Sequence, residues 1–105
     1  MRRILTSDEG LEQAKRLVAT KALAPLARVY ASQPRDPLNF YAPQWRERLR
    51  AAEAEVIETL RAAGARVDRF DDGCVRILFA GVWASSRQGL RKALQHWKIN
   101  AEAKR

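Results

Sequence analysis

The stretch that decides the fold is ARVDRFDDGCVRILFAGVWASS, Ala65 to Ser86. Its apolar residues recur with a period of two, where the chain on either side keeps the 3.6-residue period of helices. ARVDRF and CVRILF are bridged by DDG, and the Asp72-Gly73 pair favours the positive backbone angles of a tight hairpin turn. In the second strand Val75, Ile77 and Phe79 alternate with Cys74, Arg76 and Leu78, so one face is wholly apolar and the other mixed. Ala80-Gly81 then turns the chain into a third strand of about three residues, Val82 to Ala84. These pieces predict a two- to three-stranded antiparallel meander.

Downstream, Ser85 and Gln88 have the spacing of a capping box, which predicts a helix starting at the serines. Leu90, Ala93, Leu94, Trp97 and Ala101 fill one sector of that helix and should face the core. Arg87, Arg91 and Lys98 lie on one flank of it, with Lys92 further round. His96 falls well outside the apolar sector and reads as a surface residue.

Upstream, Pro43 suits the first turn of a long helix with Trp45, Leu49, Ala52, Val56, Leu60 and Ala63 on its core stripe. Glu53 and the other charged residues fall on its remaining faces, and Gly64 supplies the C-terminal cap. Further back, Thr6 and Glu9 have capping-box spacing, so a first helix should begin near Ser7, with Leu11, Ala14, Val18 and Ala22 inward. Pro25 lacks an amide hydrogen and clashes with the preceding turn, which predicts a kink or break near Ala24 before a helical piece running to about Ser32. Prolines 34, 37 and 43 make QPRDPLNFYAP a non-helical connector. Its Leu38, Phe40 and Tyr41, with Trp45, form an apolar group that either folds back as a lid on the core or projects as a recognition surface.

The fold class expected is therefore α+β: N-terminal helical segments, a long central helix, then the meander packed by a C-terminal helix. The 105 residues are expected to form one compact domain, with frayed ends at about 1–5 and 100–105. A sheet backed by one helix is also the plan of some domains that lay strands in the DNA major groove, and helix, three strands, helix is the order in double-stranded RNA-binding domains. Both are analogies of topology.

The net charge is +8, unevenly spread. Residues 1–35 carry seven basic and three acidic side chains, residues 36–73 six and eight, and residues 74–105 seven and one. The C-terminal third thus concentrates the positive field, which suits a polyanionic partner. No apolar run spans a bilayer and MRRILTSDEG is not followed by a signal-peptide core, so a cytoplasmic protein without membrane partners is expected. Cys74 is the only cysteine and His96 the only histidine, which leaves no ligand set for a metal and points to no cofactor. Ser85, Ser86, His96 and Asp72 are hydrolytic residue types, but no nucleophile elbow or phosphate-binding glycine loop frames them, so catalysis is the least supported class.

The segment GVWASSRQGLRKALQHW, Gly81 to Trp97, resembles the tails of small uncharacterised proteins of phage and prophage genomes in GC-rich bacteria. That resemblance implies an accessory role in a phage or its host and no catalytic chemistry. Two binding functions follow from the residues. In the first, the protein grips DNA or RNA through Arg87, Arg91, Lys92 and Lys98 on the last helix, joined by Arg76 on the adjoining strand. In the second, it binds a protein partner or itself through Leu38, Phe40, Tyr41 and Trp45, with the basic flank steering association.

Overall fold

The computed structural model describes residues 8–33 and 43–103, with the side chains of Asp8 and Glu9 left aside. The proposed Thr6–Glu9 cap and the connector residues Leu38, Phe40 and Tyr41 lie outside the described residues. The order is α1 (Asp8–Leu17), a π-helical segment (Val18–Leu23), α2 (Ala24–Ala31), α3 (Pro43–Ala62), β1 (Arg66–Arg69), β2 (Val75–Phe79), β3 (Val82–Ser86) and α4 (Leu90–Ala103). This is the α+β architecture read from the sequence, with α4 packed on the meander.

Pro25 does not break the N-terminal helix. The segment Val18–Leu23 ahead of it widens to π turns, and the Ala24 amide reaches back to the Ala19 carbonyl. Widening the turn accommodates a residue that can neither donate a hydrogen bond nor tolerate the usual carbonyl behind it. Leu11, Ala14, Val18, Ala22 and Leu26 stay buried along the whole run. Trp45 of α3 donates from Nε1 to the Val29 carbonyl at 2.9 Å, satisfying one of the last carbonyls of α2. Its ring meets Tyr30 edge-on at 5.9 Å.

The α3 stripe is rotated from the expected one. Val56, Leu60 and Ala63 are buried as read, but Leu49 and Ala52 are only partly covered, while Ile57 and Glu53 are buried. The helix is wedged between the N-terminal helices and β1, so it needs a broader inner face than one seam. It ends at Gly64 in a Schellman motif, Ala65 N–H to Leu60 O at 2.9 Å and Gly64 N–H to Arg61 O at 3.0 Å.

The sheet is antiparallel in the order β1-β2-β3. Its first turn is a three-residue loop and not a two-residue one: Phe70 N–H bonds Cys74 O, and Gly73 alone takes positive φ (86°). A type I turn closed by a glycine bulge has this form. Asp72 contributes its side chain, accepting the Cys74 amide at 3.0 Å. The second turn has both residues at positive φ, Ala80 at 51° and Gly81 at 78°, the primed turn whose twist matches the strands.

β3 runs to Ser86, two residues beyond the expected end. The serines therefore belong to the sheet, and the capping box predicted at Ser85 does not form. Ser86 Oγ instead accepts the Gln88 amide at 3.0 Å, and the helix begins at Leu90, with Gly89 O receiving the Ala93 amide. The five residues of its predicted stripe are all buried, Trp97 completely. Trp97 donates to Phe79 O at 3.2 Å and packs on the Phe79 ring at 5.6 Å. The helix continues through a buried Ala101 to Ala103.

Trp97→Ala should cost about 3–5 kcal/mol of stability, as expected for a large buried aromatic, and Leu49→Ala under about 2 kcal/mol, because Leu49 is only partly covered. Denaturant titration of the two variants checks the order; equal losses would contradict the rotated α3 stripe. Ala80 occupies a left-handed conformation that costs an L-residue about 1–2 kcal/mol and that Asn tolerates better. Ala80→Asn should therefore raise the melting temperature, and a lower one would show that the Ala80 methyl matters more for packing.

Candidate nucleic-acid interface

The alternation along the strands sorts the sheet into two faces. Val67, Val75, Ile77, Phe79, Val82 and Ala84 point into the core, while Arg66, Asp68, Arg76, Leu78, Trp83 and Ser85 point the other way. The register sets Leu78 beside Arg66 and Trp83 in one row, and Arg76 beside Asp68 and Ser85 in the next. Trp83 is 51% exposed and Phe70, beyond the end of β1, 45% exposed. Both are large rings in water on a face that the N-terminal helices and α4 leave open.

The arginines on this face have local partners. The Arg76 guanidinium lies over the Phe70 ring, 5.3 Å from its centre. Arg66 Nε meets Asp68 at 3.0 Å, with the Arg66 side chain largely exposed. Such surface contacts are weak and leave both cations available to a polyanion. Arg76, Trp83, Ala84, Ser85 and Asn100 line a shallow depression of about 280 Å³ at the β3 side.

Two α4 side chains fix that side. Asn100 Nδ2 donates to Trp83 O at 2.9 Å, and His96 Nδ1 donates to Ser85 O at 3.0 Å, which requires the Nδ1-protonated ring. Four residues of helix rise about 6 Å and two residues of strand about 6.6 Å, so an antiparallel helix can serve alternate carbonyls of one edge. His96 is exposed, as read from its position, but it is a structural donor. On the opposite edge Arg61 Nη2 of α3 donates to Val67 O at 2.9 Å.

The five cations singled out in the sequence do not form one patch. Arg76 lies on the open face, and Arg87 sits just past β3 at the same end of the sheet as Gly73. Arg91 is on the other side of the molecule, its guanidinium 4.5 Å from the centre of the Tyr30 ring of α2. Lys98, two helical turns on, shares the Arg91 flank, and Lys92 is on the outward face of α4; both are exposed. Trp45 is 7% exposed and bonded to α2, so it is a structural residue and no surface anchor. Trp83, Phe70, Arg66 and Asn100 were not among the binding residues expected from the sequence, and Ser85 was read as a helix cap. Once β3 is extended to Ser86, its alternation places Trp83 and Ser85 opposite the buried Val82, Ala84 and Ser86.

Glu53 is a buried carboxyl, 8% exposed, with Arg69 Nη2 at 3.8 Å. Burial pushes its pKa up from the ordinary value, and the Arg69 charge offsets part of that. Tyr30 is also raised, by burial and then by the Glu53 charge, against the opposing charge of Arg91. Glu53 with Arg69 joins α3 to β1 and Tyr30 with Arg91 joins α2 to α4, on the side away from the open face. Among the described residues no group of His, Cys, Asp and Glu could hold a metal ion, and no helix is long and apolar enough to cross a membrane.

Because the Glu53 proton is favoured in the fold, its contribution to stability is complete below the unfolded carboxylate pKa and is lost as pH rises through the higher folded value. Glu53→Gln removes that loss, so the melting temperature of the variant relative to the native chain should climb as pH is raised from about 4, near the ordinary Glu value. A difference that stays flat with pH would mean that Arg69 cancels the cost of burial. The chain matches no family model, no curated protein and no solved structure.

Proposed function

We propose that this protein binds nucleic acid through the open face of its sheet, with Arg66 and Arg76 contacting phosphates and Trp83 offering a flat apolar surface to a base. The observation that carries the reading is the half-exposed Trp83 sharing one face with Arg76 and Arg66. An indole left in water is unusual for a small domain that buries its other two tryptophans. Cations interleaved with exposed aromatics suit a ligand that alternates phosphates and bases. Arg87, at the same end of the sheet, extends the positive field. The C-terminal basic excess, seven basic against one acidic residue over 74–105, draws a polyanion toward this half of the chain.

The reading moves the contact surface from the α4 flank to the sheet. Arg91 supports this shift, since it is half-buried with its guanidinium on the Tyr30 ring, whereas Arg76 is exposed. A non-enzymatic accessory role in the cytoplasm, in the phage or prophage setting implied by Gly81–Trp97, is the corresponding context. A protein partner on the same aromatics is the second reading, favoured by the exposed Phe70 and Trp83 alone.

Replacing both Arg66 and Arg76 by Gln should leave stability within about 0.5 kcal/mol per site. It should also weaken binding to nucleic acids of unrelated sequence and reduce the log–log salt slope by about 0.7–0.9 per lost phosphate contact. The matched pair Arg91→Gln and Lys98→Gln should change the slope less. The reverse ranking would return the site to α4, and absence of binding at low salt would end the nucleic-acid reading.

A further inference from the structure

We infer that the ligand of the open sheet face is single-stranded RNA, with an unpaired base stacked on Trp83 and its ribose hydroxyl in the adjoining depression. This rests on the nucleic-acid reading of the same face and names its substrate class.

Strand addition by a peptide meets occupied carbonyls on both edges. The outward carbonyls of Trp83 and Ser85 already accept from Asn100 and His96, and that of Val67 accepts from Arg61. An extended peptide would have to displace those donors to pair with the backbone. Among the described residues nothing covers the face itself, and what it presents is an aromatic ring, cations and a shallow polar dent. A duplex covers the faces of its bases by stacking, whereas a single strand can turn one base onto an aromatic side chain.

The sheet register also sets a path. Trp83 lies opposite Leu78 on β2, and Phe70 opposite Cys74, four residues further along and across both strand spacings. At about 3.3 Å per residue and 4.8 Å per strand the backbone positions that carry the two rings stand about 16 Å apart. Arg76 lies on the diagonal between them, over Phe70. That distance spans more than four stacked base steps of about 3.4 Å, so a short oligonucleotide can reach both rings with a phosphate at Arg76.

The dent beside Trp83 supplies the sugar preference. Asn100 spends its amide nitrogen on Trp83 O, which leaves Oδ1 as an acceptor, and the exposed Ser85 hydroxyl makes no hydrogen bond among the described residues. A donor and an acceptor in one depression match a ribose 2′-hydroxyl, which is both acceptor and donor. At about 280 Å³ the depression lies below the usual range for small-molecule pockets, about 300–1,000 Å³, and suits a single sugar or base edge.

The test is a titration at low salt with oligouridylate about 12 nucleotides long, oligodeoxythymidylate of equal length and an RNA duplex, read by anisotropy and by tryptophan emission. Trp45 and Trp97 are buried, so quenching reports Trp83. Oligouridylate should bind tightest and quench. Trp83→Leu should lose about tenfold or more in affinity together with the quench, and Trp83→Phe should keep part of the affinity. Ser85→Ala should lower RNA affinity about two- to tenfold, toward the DNA value, and leave DNA binding unchanged.

Duplex binding as tight as single-strand binding, or Trp83→Leu within twofold of the native chain, overturns the inference. So does equal affinity for RNA and DNA. If arginine substitutions abolish binding while Trp83→Leu does not, this inference falls and the broader nucleic-acid reading stands. If no nucleic acid binds, both fall. Self-association in sedimentation that Trp83→Leu abolishes would assign the face to a second copy of the chain and overturn it likewise.

Discussion

A three-stranded sheet has two edges, and in this molecule helix side chains reach outward carbonyls on both. Arg61 reaches from α3 to Val67 O on β1, and His96 with Asn100 reaches from α4 to β3. An edge left bare is a template for pairing with another chain. Using helix side chains as the cover fixes α3 and α4 relative to the sheet, because each donor must meet a particular carbonyl. The outer face then becomes the sheet surface left for a partner, and it is there that the large exposed rings stand.

The same economy of donors governs the helical half. Val29 O, near the end of α2, receives the Trp45 indole as well as the Ser32 amide and hydroxyl. Pro25 removes one donor from the helix, and the π turns ahead of it restore continuity without exposing the apolar stripe. Tyr30 then takes Trp45 on its edge and Arg91 on its face, which joins three helices through one ring. Arg91 thereby serves packing, although its position on the helical wheel reads as a free cation.

Period and spacing made most of the architecture legible. The α4 stripe was readable to the residue because Leu90, Ala93, Leu94, Trp97 and Ala101 obey one helical sector and nothing competes for it. The hairpins were readable because Gly73 and Gly81 each interrupt the alternating apolar pattern at a turn. The failures have local causes. Ser85 and Ser86 suit a helix cap and a strand end equally, and pairing of Val75 with Ser86 decides the matter through contacts distant in sequence. Glu53 is charged and was assigned outward, yet it is buried with Arg69 of β1 beside it, a neighbour no single-helix pattern records. The candidate site suffered most, since helical cations were grouped by wheel position while the sheet face needed the β3 boundary to become visible.

The contacts that hold α4 to the meander are close along the chain. His96 reaches Ser85 across 11 residues, Asn100 reaches Trp83 across 17, and Trp97 reaches Phe79 across 18. Each loop closed by these contacts is short, and the entropy of closing a loop grows only with the logarithm of its length. The segment from β1 to α4 is therefore a unit of low contact order, able to assemble by successive nearby steps. The N-terminal helices join it across a much larger separation, as in the contact of α1 with α4. The chain is built so that the half bearing the open sheet face can organise first, with the other half closing over its core side.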